Sequence, residues 1–220
     1  YDETTLKANV TALVLDSEVV DELSDKIKKS AIITDESCFY AESGGQVGDK
    51  GIISTKNAEF KVTDTRKTPQ GIFIHFGNVI SGNFKIGNEV KLKIDSSLRE
   101  LIKKNHSATH LLHAALRNNL GLHVAQRGSL VNENKLRFDF SHNKQISSKQ
   151  IDTIQKEVTN IISNTCETQI DIKSQEEAIK LGAMALFGEK YGEEVRVVTL
   201  GEHNNKPYSI ELCGGTHVTN

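Results

Sequence analysis

The sequence lacks tryptophan and contains only two prolines, one methionine and three cysteines in 220 residues. A small and odd number of cysteines argues against a disulfide scaffold and favours a reducing compartment, the cytoplasm. No apolar run approaches the roughly 18 residues of a membrane-spanning helix, and the acidic start has no hydrophobic segment behind it. A membrane-spanning helix and a secretory signal are therefore not predicted.

The sequence has no large excess of charge of either sign, since 27 basic and 29 acidic side chains give a formal net charge of -2. This balance excludes a general polyelectrolyte binder but permits a local contact with nucleic acid. The apolar fraction of 37% and the charged fraction of 25% are typical of a soluble folded chain with one large or two small domains. Because the chain opens on Tyr1 and its one methionine is Met184, we expect a piece of a longer protein.

The first part of the chain has the character of short strands separated by turns. Turn signals include Ser43-Gly44-Gly45 and 68–71 (TPQG). This punctuation predicts a small antiparallel barrel or sandwich. The predicted strands are 8–15, 31–34, 58–63, 72–76 and 89–94.

Helical periodicity begins near residue 98, where apolar residues recur at helical spacing as far as Leu120, before a capping Gly121. A second amphipathic helix is predicted at 147–164. Around these lie predicted strands at 127–131, 135–140, 168–173, 194–200 and 208–212, and a short helix at 175–186. We therefore divide the chain into a mostly β part, 1–97, and an α+β part, 98–220.

Two pairs of residues have the spacing of metal ligands. His106 and His110 lie four apart inside the long helix, so both imidazoles share one face. Cys213 and His217 have the same spacing around Gly214 and Gly215, where a tight loop can turn both side chains toward one point. Either pair alone is more often solvated or packed in a core. Together they form a three-nitrogen, one-sulfur set suited to tetrahedral zinc.

Two zinc enzyme classes are excluded by the residues around these pairs. Zincin proteases need glutamate directly after the first histidine, where this chain has Ser107, and zinc deaminases need a CxxC pair. His113 lies seven residues after His106 on the same helical face. We interpret His113 as a packing residue or a support for a ligand.

Polar residues elsewhere are weaker candidates. The glycine-rich stretch 38–49 could offer Ser43, Gly44, Gly45 and Gln46 to a ligand, or could be a plain hairpin turn. Gln126 could face the metal or the solvent.

Two charged residues and a cluster of basic residues can each be interpreted as functional or as ordinary solvent-exposed side chains. Glu211, two residues before Cys213, could steady a ligand or a water, or form an exposed salt bridge. Lys190 lies on a glycine-flanked turn, where lysines are usually only solvated. A cluster of basic residues near the long helix could bind phosphates or could only form a solvent-exposed helix surface. Its members are Arg99, Lys103, Lys104, Arg117 and Arg127.

Five segments resemble the alanyl-tRNA synthetase family, in the family's own order and through nearly the whole chain. FYAESGGQVGDKG at 39–51 is similar to the family's barrel. Four others are similar to its editing domain: 105–121 (NHSATHLLHAALRNNLG), 131–142 (VNENKLRFDFSH), 182–192 (GAMALFGEKYG) and 211–217 (ELCGGTH). The resemblance implies an α+β protein, with a small antiparallel β-barrel at 1–97 and a zinc-binding editing core at 98–220.

The resemblance also implies an activity, the deacylation of tRNA(Ala) wrongly charged with serine or glycine. By likeness, Zn²⁺ is bound by His106, His110, Cys213 and His217. The expected catalytic residues are Glu211, Lys190 and Gln126, and the expected substrate-binding residues are Ser43, Gly44, Gly45, Gln46, Thr109 and Thr216. The expected partners are the 3′ acceptor end of tRNA(Ala) and the remaining domains of a synthetase, since the family's domain continues beyond Asn220.

Two other functions remain open from the sequence. One is a free-standing deacylase that edits in trans, and the other is a structural zinc module that binds tRNA without catalysis. The mechanism is open too, because zinc could activate a water or only position the substrate.

Overall fold

Six antiparallel strands in the first hundred residues close into a barrel. The computed structural model describes residues 3–24, 29–164, 167–184 and 192–220. It divides into two compact units, Tyr1–Ser43 with Val47–Glu100, and Gly44–Gln46 with Leu101–Asn220. Three residues of the glycine-rich turn thus belong to the second unit.

The strands of the first unit are β1 (Thr5–Leu15), β2 (Glu18–Val20), β3 (Glu22–Leu23), β4 (Ser30–Thr34), β5 (Gly51–Ser54), β6 (Glu59–Lys67), β7 (Phe73–Ser81), β8 (Phe84–Lys85) and β9 (Glu89–Ile94). The barrel has the strand order β1-β4-β7-β6-β5-β9, and β9 pairs back with β1. Closure is possible because β1 is long: its first half pairs with β9 and its second half with β4, with a bulge between Val10 and Ala12.

Alternation along the strands fills the barrel. In β9, Val90, Leu92 and Ile94 are buried while the residues between them are exposed. All five strands predicted in this part are confirmed, and the α+β fold class with a small antiparallel barrel is confirmed as well. The prediction missed β5, which completes the barrel, because four residues beginning with glycine carry little strand signal.

A buried ion pair joins the end of the barrel sequence to the glycine-rich segment within the first unit. Arg99 lies in the first turn of α1 (Ser96–Leu120), and its Nε donates to Asp49 Oδ1 at 2.9 Å while Nη2 donates to the carbonyl oxygen of Cys38 at 3.2 Å. Asp49 also accepts from the backbone N–H of Tyr40 at 2.6 Å. The expectation that Arg99 belongs to a basic surface is wrong, since the residue is only 2% exposed.

Besides α1, the second unit contains β10 (Gln126–Val131), β11 (Leu136–Phe140), α2 (Ser148–Ser163), β12 (Gln169–Ser174), α3 (Gln175–Lys180), β13 (Glu194–His203) and β14 (Lys206–Leu212). Helices α1 and α2 lie against a three-stranded antiparallel sheet, β12-β13-β14. Leu111 of α1, Ile161 of α2 and Val198 of β13 pack together in the core of this unit. In the described ranges, no helix is both long and apolar enough to cross a membrane.

The short helix predicted at 175–186 is shorter in the structure. It ends at Lys180, because Gly182 adopts a φ of +81° that a helix cannot continue through. Lys190 and most of the segment 182–192 lie outside the described residues.

We predict that Asp49→Asn destabilises the barrel, because it leaves the buried Arg99 without a compensating charge. The expected loss in the free energy of unfolding is about 3–5 kcal/mol, measured by urea denaturation. Lys7→Ala is the matched control, since it breaks an exposed pair with Glu89 (3.3 Å) that contributes less than about 1 kcal/mol. Equal losses in the two variants would contradict the prediction.

The buried imidazole of His75 is expected to make the stability of the barrel depend on pH. Burial lowers the pKa of its imidazole to about 4. Between pH 6.5 and 4 the unfolded chain therefore binds this proton while the folded barrel does not, so stability falls with decreasing pH. We expect His75 to remove about 2 kcal/mol between pH 7 and pH 5, measured as the difference between the parent chain and His75→Gln. Parallel pH profiles in the two proteins would exclude this role.

Candidate metal centre

The two ligand pairs predicted from the sequence meet in the second unit. The ligand atoms of His106, His110, Cys213 and His217 all lie within 4.8 Å of one another. The four residues are between 3% and 7% exposed. Helix α1 supplies the first two from adjacent turns, and the loop after β14 supplies the other two. This cluster could hold a metal ion.

The sulfur of Cys213 contacts two of the histidines of the cluster. His217 Nε2 is 3.3 Å from Sγ and His106 Nε2 is 3.5 Å from it. The backbone N–H of Gly215 also donates to Sγ at 3.3 Å. Three imidazole nitrogens and one sulfur around one point suit a tetrahedral ion such as zinc.

Each imidazole has a polar partner at its outer nitrogen. His106 Nδ1 is 2.7 Å from Gln46 Oε1, and His217 Nδ1 is 3.2 Å from Ser107 Oγ. His110 Nδ1 lies 3.1 Å from Glu211 Oε2, although its N–H is not aligned for a good hydrogen bond. Outer partners of this kind orient a histidine ligand and fix its tautomer.

The ionisation of Cys213 and His217 suits metal binding, whereas His110 has to release a proton first: burial lowers its pKa, but Glu211 and Cys213 outweigh burial and raise the pKa to about 10. Burial raises the pKa of the Cys213 thiol, but hydrogen bonds from the three histidines outweigh it, so this pKa lies well below its usual value. Burial lowers the pKa of His217 to about 3, which keeps its imidazole neutral. A thiolate and a neutral imidazole are the species that bind metals.

Glu211 is buried between two histidines. Its Oε1 lies 3.0 Å from His113 Nδ1 and accepts from Ser209 Oγ at 3.3 Å, while Oε2 faces His110. Burial raises the pKa of this carboxyl, but the charge of His110 outweighs it and the pKa lies below its usual value. The reading of Glu211 as an exposed salt-bridging residue is wrong, since it is 2% exposed.

Gln46 ties the glycine-rich turn to the cluster. Its Oε1 accepts from the backbone N–H of Thr216 at 2.9 Å, and its Nε2 donates to Thr216 Oγ1 at 2.9 Å. The turn is anchored to β10 by a hydrogen bond from Val131 N to Gly45 O at 2.7 Å. The turn within this unit is therefore more than a plain hairpin.

The remaining site residues predicted from the sequence differ in burial and in hydrogen bonding. Thr109 is buried and donates to the carbonyl oxygen of Asn105 at 2.8 Å, while Gln126 is half-buried at the start of β10. Ser43 and Gly44 are exposed. In the first unit, the Ser43 carbonyl accepts from the Tyr40 hydroxyl at 3.0 Å.

Sequence reasoning missed three residues that support the cluster. Ser107 was used only to exclude a protease, although its position between the two histidines was a signal. Ser209 lies two residues before Glu211, on the same side of β14. Arg196 gave no signal at all: from β13, its Nη1 donates to the carbonyl oxygens of Cys213 at 2.7 Å and Gly215 at 2.9 Å, which fixes the ligand loop.

Known proteins match this chain along its whole length. Residues 1–98 match the family described as tRNA synthetases class II (A), and residues 195–220 match the second additional domain of threonyl and alanyl tRNA synthetases. Alanine–tRNA ligases of Mesorhizobium japonicum and Parvibaculum lavamentivorans are each 47% identical over 99% of the chain. The chain spans 25% of the length of each of these relatives.

The ligand loop offers a sharp test of metal binding. A Cβ at Gly215 would overlap the His106 ring and lie 2.9 Å from Gln46 Oε1, whereas nothing lies within 4 Å of a Cβ at Gly214. We expect Gly215→Ala to weaken zinc binding at least about 10-fold, because it displaces a ligand and its outer partner. Gly214→Ala is the matched control and should bind zinc normally.

The measurement is zinc affinity by competition with a chromogenic chelator, together with metal content after gel filtration. Equal zinc affinities in the two glycine variants would show that this cluster is not the binding site.

Proposed function

We propose a function from the premise that this chain belongs to the alanyl-tRNA synthetase family. The chain spans about a quarter of the length of the curated relatives that it matches. The function is editing: hydrolysis of the ester that joins serine or glycine to the 3′ end of mischarged tRNA(Ala). The observation that carries it is the buried cluster of three histidines and one cysteine, whose last two members lie in the stretch similar to the second additional domain.

Zinc is the proposed metal, bound by His106, His110, Cys213 and His217. When bound, it supplies a Lewis acid that can hold the substrate's amino group and carbonyl or lower the pKa of a water. Four protein ligands leave a tetrahedral site without an open position, which argues against a zinc-activated water and favours a positioning or structural role for the metal. The outer hydrogen bonds of His106 and His217, and the carboxylate of Glu211 beside His110, keep the imidazole ligands in place.

Glu211 acts as a positioning residue in this proposal. Its two oxygens face His110 and His113 and it is almost completely buried, so it orients a ligand instead of reaching the ester. Gln126 and Lys190 stay the candidates for direct contact with the reacting ester or its water. Either side chain could donate a hydrogen bond to the negative charge that develops on the carbonyl oxygen during attack.

Selection of serine needs a polar group that alanine cannot satisfy. Synthetases of this kind use a second site, because a hydrophobic pocket rejects an added hydroxyl only about 10²-fold. Thr216 is the best placed candidate: its Oγ1 accepts from Gln46, so its own O–H can donate to the seryl hydroxyl. Glycine has no hydroxyl, so its removal depends on other contacts, for which Ser43, Gly44, Gly45 and Thr109 are candidates.

The partners follow from this function. The chain would receive the acylated 3′ acceptor end of tRNA(Ala), in the cytoplasm, from the aminoacylating domains of the same synthetase. A net charge of -2 agrees with a site that contacts the tip of the tRNA and leaves most of the affinity to other domains.

A structural zinc module is the second candidate, favoured by the burial of all four ligands. It predicts tRNA binding without ester hydrolysis. The two functions therefore separate in one assay.

The assay incubates the chain with Ser-, Gly- and Ala-tRNA(Ala), with and without a chelator. We expect hydrolysis of the seryl and glycyl esters, sparing of the alanyl ester, and loss of activity with the chelator. Cys213→Ala should lose at least about 100-fold in rate, while Cys38→Ala, which alters a buried barrel cysteine, should keep it.

Thr216→Val should slow the seryl reaction about 10-fold more than the glycyl reaction, because both reactions lose the hydrogen bond from Gln46 but only the seryl substrate also loses one of its own. Equal hydrolysis of all three esters, or full activity in a zinc-free Cys213→Ala variant, would rule out the proposed function.

A further inference from the structure

A pair of histidines outside the metal cluster lines a pocket at the open end of the β10–β11 hairpin. His123 Nε2 and His142 Nδ1 lie 2.8 Å apart, so one hydrogen bridges the two rings. In either tautomer, the bridged pair of neutral imidazoles keeps one N–H on an outer nitrogen. Arg127 and Lys144 line the same pocket and are both exposed.

The backbone around this histidine pair is fixed by hydrogen bonds. Ser141 Oγ accepts from the backbone N–H of Ala125 at 3.1 Å and donates to the carbonyl oxygen of His123 at 3.1 Å. Arg117 Nη1 donates to the carbonyl oxygens of Leu122 at 3.0 Å and Val124 at 2.8 Å. The pocket is therefore pre-organised, which reduces the entropy cost of binding a ligand.

The surrounding sequence is basic and nearly free of acids. No aspartate or glutamate occurs between Glu100 and Glu133, or between Asp139 and Asp152. The hairpin itself carries two carboxylates: Glu133 lies in its turn, and Asp139 accepts from Arg137 Nε at 3.1 Å. Glu157 of α2 accepts from Asn118 and Asn119 at 2.9 and 2.6 Å. In a chain with a net charge of -2, this is a local concentration of positive charge and N–H donors, the combination that binds a phosphate group.

We propose that the pocket of His123, His142, Arg127 and Lys144 binds a backbone phosphodiester of an RNA strand. The one outer imidazole N–H of the pair and the lysine donate to the phosphate oxygens, and the contact is independent of base sequence. The proposal rests on the proposed function for the identity of the RNA, a tRNA whose 3′ end reaches the metal cluster. It adds a second point of attachment for that RNA.

The lengths of α1 and β10 give the distance from this pocket to the metal cluster. Along α1, the ten residues from His110 to Leu120, which lines the pocket, span about 15 Å. Along β10, the strand from Gln126 to Val131 spans about 17 Å and ends at the hydrogen bond with Gly45, beside Gln46. The separation suits a strand that enters at the pocket and ends at the cluster, a few nucleotides further on.

The test measures binding of uncharged tRNA(Ala), which carries no ester, so the result does not depend on deacylation. Lys144→Ala should weaken binding and reduce the slope of log K against log salt by about 1, because one phosphate contact is lost. Lys180→Ala, an exposed lysine at the end of α3, is the matched control and should change neither. The double variant His123→Ala with His142→Ala should weaken binding about 10-fold.

Circular dichroism and zinc content of each variant confirm that fold and metal site are intact, and Lys144→Ala remains informative if the double histidine variant does not fold. Equal affinity and salt slope for the parent chain and Lys144→Ala would overturn the proposal, as would no measurable binding of RNA by the parent chain at 50 mM salt.

Ring ¹H–¹⁵N spectra of His123 and His142 distinguish the source of the phosphate. RNA should shift these signals at a lower concentration than inorganic phosphate does; the reverse order would overturn the assignment to a phosphodiester. If the parent chain binds RNA but hydrolyses no ester, and the variants lose RNA binding, the result supports the phosphate pocket and excludes the proposed function.

Discussion

The carboxamide of Gln46 makes the hydrogen bonds on which the metal cluster most depends. Its oxygen accepts from the backbone N–H of Thr216, a group that can only donate, and this identifies the atom as Oε1. His106 Nδ1 must then carry the hydrogen that it shares with the same oxygen, which leaves the lone pair of Nε2 facing Cys213. One buried amide thus sets the tautomer of a ligand from α1 and the position of the loop that carries the other ligand pair.

The same device recurs at the other two imidazoles with different chemistry. Ser107 faces His217 while accepting from the backbone N–H of Val218, and Glu211 faces both His110 and His113. Burial makes these partners necessary, because a polar ring without a partner in an apolar interior costs several kcal/mol. It also explains the glycine at 215, since a side chain there would occupy the space of the His106 ring.

Local sequence patterns predicted the elements and the ligands well. Alternation in β9 and helical periodicity in α1 are properties of a few consecutive residues, and they gave the barrel strands and the main helix. Short or interrupted elements were not predicted correctly: strand β5 was missed, and α3 ends before Gly182, earlier than predicted. The four ligands were predicted because each pair is four residues apart, a spacing that the helix or a glycine loop turns directly into proximity.

The sequence by itself therefore determined most of the strands, the two long helices, the two ligand pairs and the likeness to one family. Only the tertiary structure decided which partner each ligand has, since Gln46 is 60 residues from His106 and Ser107 is 110 residues from His217. It also decided that Arg99 is buried in an ion pair, and that Glu211 turns its carboxylate to two histidines. Such contacts depend on where the chain returns after long loops and strands, and no periodicity of neighbouring residues encodes that return.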